Sequence, residues 1–218
     1  ERRLLKAVEK WGRKGVEGAI AQFIDDAERI FRGIIEEMPD GEWSAEGFLD
    51  NDGIGDEPVP VKLSVRVKGS NIIVDTTGSA PATKGPLNCP YASTVSSFKC
   101  MLMSIIDPFY EPNQGCFRPL TVIAPEGSMF NPQPPSPTLL YFLATMQLGN
   151  LFHKCLVEAI PDKVVARSAG DICSFLWSVK NPRDGSSYAG ATDSGIGEGA
   201  GIDNDGENAL VLWTNGDC

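Results

Sequence analysis

The residues best placed for chemistry in this chain are polar side chains in two loop motifs. Asn88 sits in Gly85-Pro86-Leu87-Asn88-Cys89-Pro90, and Asn113, Gln114 and Arg118 sit in Pro112-Asn113-Gln114-Gly115-Cys116-Phe117-Arg118-Pro119. An amide side chain offers a donor and an acceptor from one group, and a guanidinium holds a carboxylate or phosphate through paired hydrogen bonds. Together they could orient a planar amide, a ketone or a carboxylate. Asp75 ends an apolar run just before Thr76-Thr77-Gly78, where it could act as a base or cap its own turn. For all five residues a structural role competes with a catalytic one, because short polar side chains also satisfy the backbone of tight turns.

Other reactive groups are sparse. His153 is the only histidine and falls on an expected helix, where a lone imidazole reads as structural. Asp50, Asp52 and Asp56 resemble a hard-cation loop, and so do Asp203 and Asp205. Neither set completes the alternation of oxygen ligands and distal Glu that calcium loops need, so they read as turn caps. Gly195-Ile196-Gly197-Glu198-Gly199-Ala200-Gly201 lacks the Lys-Ser/Thr ending of a phosphate loop and carries an acidic residue, so it is no nucleotide cradle. Its glycines suit tight packing or a mobile loop. The six cysteines, Cys89, Cys100, Cys116, Cys155, Cys173 and Cys218, form no C-x-x-C pair. A chain of this size does not need disulfide staples, and no signal peptide is visible, so they read as reduced thiols of a cytoplasmic protein. Cys89 and Cys116 lie in loop motifs, yet neither has a sequence-local base to lower its pKa.

The elements that must position these loops are of both kinds. Residues 1–38 read as helical, with Gly12 and Gly15 separating a short first helix from a long second one. Val16, Ala19, Ile20, Phe23, Ile24, Ala27, Ile30, Phe31, Ile34 and Ile35 recur at spacings of three and four, which marks one face to be packed on its own domain. Residues 58–76 read as a hairpin. Val61, Leu63, Val65 and Val67 alternate with Lys62, Ser64, Arg66 and Lys68, Gly69-Ser70-Asn71 turns the chain, and Ile72-Ile73-Val74 returns it. One wet face suggests an antiparallel sheet. A helix is expected over 91–107, a strand over 117–124, and an ordered Pro-rich crossover over 131–137. A second long helix over 138–160 carries Leu139, Leu143, Met146, Phe152, Leu156 and Ile160. Gln147, Asn150, His153, Lys154 and Glu158 make it costly to place in a membrane. Short strands follow around Val164, Ile172–Val179, Tyr188 and Ala209–Trp213. The expected fold is therefore α+β, with antiparallel hairpins and short strands packed against two long helices. Its divisions are a helical segment (1–38), a β-rich mixed region (39–137), and a long helix with short strands (138–218) that ends as though truncated.

Composition bounds the partners. Among 218 residues, 42 % are hydrophobic and 22 % charged, as in an ordinary soluble domain, and the formal net charge is -10. Nucleic acid and anionic membrane both select clustered Lys and Arg, so neither is an expected partner.

Taken in order, Leu49-Asp50-Asn51-Asp52-Gly53, Val74–Ala80, Gly85–Pro90, Pro112–Pro119 and Pro125–Pro132 resemble the hydantoinase B family. This grouping includes the B-type subunits of N-methylhydantoinases, the carboxy-terminal half of 5-oxoprolinases, and subunits of acetone and acetophenone carboxylases. Met38–Trp43 and Gly195–Leu210 extend the resemblance over nearly the whole chain. No single motif is specific; their order and spacing are. The family's proteins are longer at both ends, which implies an internal fragment.

The resemblance implies a B-type subunit of an ATP-dependent, hydantoinase- or oxoprolinase-like amidohydrolase in a hetero-oligomer. An A-type ATPase-like partner would phosphorylate a carbonyl or amide oxygen, and the B-type subunit would receive the activated small molecule. It implies no cofactor within this segment, with ATP handled by the partner and any divalent metal held by a region before it. Two other readings stay open. One is a subunit of a ketone carboxylase of the acetone or acetophenone type. The other is a non-catalytic scaffold subunit, favoured by the lack of a histidine cluster or nucleophile–base pair.

Overall fold

A computed structural model describes residues 1–166, 175–192, 197 and 199–206 of the chain. It opens on helix α1 (Arg2–Glu36), broken at Gly12, whose φ of 70° and ψ of 157° leave helical space. Of the two expected breakpoints, Gly12 is the one used; it has no Cβ to oppose a positive φ. Strands β1 (Gly41–Leu49), β2 (Val59–Lys68) and β3 (Asn71–Asp75) follow, then α2 (Tyr91–Ile106), β4 (Leu120–Ile123) and α3 (Tyr141–Leu156). A separate two-stranded sheet pairs β5 (Phe175–Lys180) antiparallel with β6 (Ser187–Thr192).

The main sheet runs β1-β2-β3-β4. β1 and β3 both pair antiparallel with β2, and β3 pairs parallel with β4. The alternation in β2 buries Val59, Val61, Leu63, Val65 and Val67 and leaves Pro60, Arg66 and Lys68 exposed. On the wet face, Glu42 stands opposite Arg66 and Glu46 opposite Lys62. Each pair closes to 2.8 Å. Exposed pairs of this kind add little stability but favour this register over a slip by one residue, which would bring the buried valines to water.

Helices cover the other face. α3 packs on β1 and β2, α1 on β3, and α2 on α3. One hydrophobic core draws on all of them, from Ala27, Phe31 and Ile35 through Phe98 and Leu102 to Phe152 and Leu156. The expected α+β class is thus what the chain adopts, with the hairpin at Gly69-Ser70 as read. The parallel β3–β4 pair is an addition: the chain reaches it by a crossover through α2, as a parallel pair requires.

β1 is a strand the sequence reading does not include. Three expectations need correction. α3 spans Tyr141–Leu156 and is no longer than α2, and Leu139 lies before it, 75 % exposed, so it is not part of the core. Val164 is in a non-strand extended position after a 3-10 turn at Pro161–Lys163. The apolar face of α1 is only partly covered: Ala27, Phe31 and Ile35 are buried, whereas Leu4, Trp11, Ile20 and Phe23 are exposed. Length explains this. From Gly12 to Glu36 the helix runs about 36 Å at 1.5 Å per residue, while a five-residue strand such as β3 covers about 17 Å. The segment around Ala209–Trp213 lies outside the described residues.

Candidate functional site

The structure does not gather the five sequence-predicted residues into one place. Asp75 accepts a hydrogen bond from the Thr77 N–H at 2.8 Å and caps its own turn. The Pro112–Pro119 motif docks on α1. Asn113 accepts from the Gly115 N–H at 2.8 Å and opens a 3-10 turn over Gln114–Phe117. Gly115 is buried against the backbone carbonyl of Ile24 so closely that a Cβ would collide with it. Arg118 then reaches Asp25 at 2.8 Å and Glu28 at 2.7 Å. Glu28 also binds Arg32, which holds Ser70 and Asn71 in the β2–β3 turn. The anionic partners of Arg118 are therefore residues of its own fold, and those hydrogen bonds lower the pKa of Glu28 and raise that of Arg118. Gln114 is exposed.

Asn88 belongs to a different junction. It is fully buried. Its Oδ1 accepts the Thr83 N–H at 2.7 Å, and its Nδ2 donates to the carbonyls of Thr83, Gly85 and Pro137 at 3.0, 3.1 and 2.9 Å. The amide thus ties the 83–90 loop to the Pro-rich crossover, which is an ordered connection as expected. The Leu140 N–H donates to Pro86 O at 2.8 Å beside it.

Asp52 brings in a third loop. It accepts from the N–H groups of Ile54 and Gly55 with one oxygen and of Gly85 with the other. Those donors, Gly55 and Gly85 foremost, hold its pKa down to about 2 from an ordinary 3.8. The folded pKa lies below the unfolded one, so this stabilisation is complete above the unfolded value and fades as pH falls from about 4 towards about 2. Asp52→Asn should therefore lower the urea midpoint near neutrality, and the gap from wild type should close across that window. A gap that stays constant into acid would show that the charge plays no part. The same backbone donors explain why an acidic loop at 50–56 is a turn cap.

Among the described residues no group of three or more His, Cys, Asp or Glu side chains could hold a metal ion, so the residues present do not fit a divalent-metal site. Cys89, Cys100, Cys116 and Cys155 are free thiols, and Cys173 and Cys218 lie outside the described residues. Burial pushes Cys89 up to about 11 and Cys155 up to about 12, which keeps both protonated and poorly nucleophilic. Of the Gly-rich segment, Gly195, Ile196 and Glu198 lie outside the described residues; Ala200 O accepts the Ala166 N–H at 2.9 Å, so the rest packs against the chain that follows α3. No described helix is long and apolar enough to cross a membrane.

The concave site lies elsewhere. A cavity of about 450 Å³ opens between β1, the C-terminal half of α3, and the segments 161–166 and 200–202. Its polar groups are Glu46 from β1 and Gln147, Asn150, His153 and Lys154 from α3. Gln147 is 3 % exposed and lines the cavity. Gly47 in β1 makes room for it: a Cβ there would occupy the place of Gln147 Nε2. His153 accepts the Val165 N–H on Nδ1 at 3.1 Å, and burial lowers its pKa. The neutral ring therefore carries its proton on Nε2. Sequence reading names Gln147 only as a residue that a membrane helix would not carry, and His153 also as a lone, structural imidazole. Polar side chains one and two turns apart on a helix otherwise buried in the core were the available signal.

Comparison with known proteins places this architecture. The family model for Hydantoinase B/oxoprolinase matches residues 1–218. The putative B-type subunit of a D-/L-hydantoinase from Pseudomonas sp. (strain NS671) is 32 % identical over 175 residues, which is 75 % of this chain and 30 % of that protein. The crystal structure of ATP-dependent caprolactamase from Pseudomonas jessenii superposes with a TM-score of 0.75 at 24 % identity, covering 87 % of this chain and 33 % of that one. A nucleotide-free acetone carboxylase structure superposes with a TM-score of 0.77 at 15 % identity, covering 93 % and 29 %. At those identities the two structures show a shared fold alone. The chain spans about 30 % of the length of the curated relatives it matches. With its whole length matched by the family model, this chain belongs to the Hydantoinase B/oxoprolinase family.

Proposed function

We propose that this chain is part of a B-type subunit of an ATP-dependent amidohydrolase of the hydantoinase or oxoprolinase type, acting on a cyclic amide activated by a partner ATPase-like subunit. The observation that carries this reading is the family match over residues 1–218. The hydantoinase relative and the fold of the ATP-dependent caprolactamase support it. The chemistry has a simple rationale. An amide oxygen is a poor leaving group until phosphorylated, and a closed site keeps water from the activated species until it is wanted. A sequence relative, the acetophenone carboxylase delta subunit of Aromatoleum aromaticum, 22 % identical over 216 residues, supports a second reading, a ketone carboxylase subunit.

The test uses the full-length protein with and without its ATPase-like partner. Alone it should hydrolyse little ATP; together the two should turn over a hydantoin or lactam in step with ATP. Strong ATPase activity from the isolated subunit would refute the division of labour. Bicarbonate-dependent consumption of a ketone, with no lactam hydrolysis, would select the carboxylase reading.

A further inference from the structure

We propose that the apolar groove on the N-terminal part of α1 is a self-association surface, on which a second copy of this chain lays its own α1 antiparallel. The groove has a volume of about 660 Å³ and is lined by side chains from both sides of the break at Gly12, among them Leu4, Ala7, Trp11, Val16, Ile20 and Phe23. No residue from Leu4 to Phe23 is buried, and Leu4, Trp11, Ile20 and Phe23 are each about half exposed or more. The buried residues of α1, Ala27, Phe31 and Ile35, all lie beyond the groove. A helical stretch of this length without tertiary contacts is marginal in water, and a continuous exposed apolar patch marks an interaction surface.

Two patterns in the residues themselves select the occupant. The first is palindromic. Counted outwards from the Arg13–Lys14 bond, Leu4 matches Phe23, Ala7 matches Ile20 and Trp11 matches Val16. A two-fold axis at that bond would set each of these residues opposite its match in the other copy, and an isologous interface requires such reciprocity. Gly12 matches Gly15 in the same way, so the smallest residues fall where the two backbones cross. The second pattern is charge. From Arg2 to Lys14 every charged residue except Glu9 is basic, and from Glu17 to Glu28 every one is acidic. A parallel copy would set like charges against like. The antiparallel copy sets Lys10 opposite Glu17 and Arg2 opposite Asp25. Arg13 and Lys14 flank the axis, and Arg13 is already held by Glu17 of its own helix at 2.6 Å. One helix pair about 30 Å long falls short of a standard interface, so the association should be weak and reversible.

This surface is independent of the function proposed above, and its test uses the full-length subunit alone. Photoreactive p-benzoylphenylalanine replaces Trp11, the protein is irradiated, and the products are sized on a denaturing gel and mapped by mass spectrometry. The expected product has twice the subunit mass and joins position 11 of one copy to the neighbourhood of Val16 in the other. Sedimentation velocity over a concentration series should show a monomer–dimer equilibrium. Ile20→Glu should raise its dissociation constant about tenfold or more, since each dimer would bury two added charges. The circular dichroism and melting of that variant should stay near wild type, because Ile20 is exposed. Lys10→Glu should weaken the dimer several-fold, and adding Glu17→Lys should restore most of the loss, a recovery specific to the antiparallel register. The proposal is overturned if the subunit stays monomeric throughout the series, if a folded Ile20→Glu variant dimerises as wild type does, or if the exchange of charges brings no recovery. It is also overturned if position 11 crosslinks only within its own chain, which would show that another part of the full-length subunit fills the groove. Absence of ATP-dependent turnover would leave these outcomes unchanged.

Discussion

Gly115→Ala is expected to destabilise the protein by about 3 kcal/mol, the upper end for forcing volume into a packed site. The Cβ would be driven into the carbonyl of Ile24, which is helix backbone and cannot rotate away as a side chain can. Either α1 lifts from the loop or the loop leaves its 3-10 turn. Lifting α1 loosens the contacts of Ala27, Phe31 and Ile35 with the core. It also parts Arg118 from Asp25 and Glu28. Arg118→Ala should shift the denaturation midpoint less, because its ion pairs are exposed to water. Urea unfolding of both variants decides the order. Near-wild-type stability in Gly115→Ala would mean that the loop does not dock α1 as described. Arg118→Ala costing more than Gly115→Ala would mean that the charges hold the helix.

Much of this architecture is legible in the sequence because its signals are local. The β2–β3 hairpin declares itself by strict alternation around Gly69-Ser70, and Gly12 marks the break in α1. β1 was harder to read. Glu42, Ser44 and Glu46 do alternate with Trp43, Ala45 and Gly47, but the glycines and acidic residues have low strand propensity. Its register is set by its pairing with β2, whose valines must stay buried and whose Lys62 and Arg66 face Glu46 and Glu42, and all of these are distant in sequence. The uncovered half of α1 shows the limit of periodicity: an amphipathic pattern says which face is apolar, not how far the sheet beneath extends.

The site was legible in a different sense. Motif order led to the family and to the loops, but Asp75, Asn88 and Arg118 are occupied by backbone or charge partners of their own fold, Asn113 is held through its Oδ1 while its Nδ2 is buried without a hydrogen-bond partner, and Gln114 is exposed. Three loops distant in sequence meet through Asp52, Gly85 and Asn88, and nothing local in any of them announces the others. Gln147 and His153 were visible as polar interruptions of an apolar helix. Their importance depends on the opposing Gly47 and on the turn carrying Val165, neither of which can be paired with α3 by spacing.

Asn88 distinguishes the two roles that a loop amide can have. If its work is the junction of the 83–90 loop with the Pro-rich crossover, Asn88→Ala should cost about 2–3 kcal/mol, the cost of leaving buried carbonyls and an N–H unmatched. Asn88→Asp preserves shape and the acceptor for the Thr83 N–H. It removes both hydrogens now shared by the carbonyls of Thr83, Gly85 and Pro137 and sets a carboxylate against them. Near neutrality it should therefore cost about 3 kcal/mol or more. Its pH dependence has a definite sign. A buried carboxylate facing carbonyl oxygens has its folded pKa raised above the unfolded value, so the penalty is full above the folded pKa and is relieved as pH falls through it. The protonated acid recovers one donor, so Asn88→Asp should regain stability relative to wild type in mild acid, whereas Asn88→Ala should not. Unfolding of the three proteins at two pH values measures this directly. A catalytic amide would behave in the opposite way: the variants would fold with wild-type stability at both pH values and lose turnover alone, and that outcome would return Asn88 to the reaction and remove it from the scaffold.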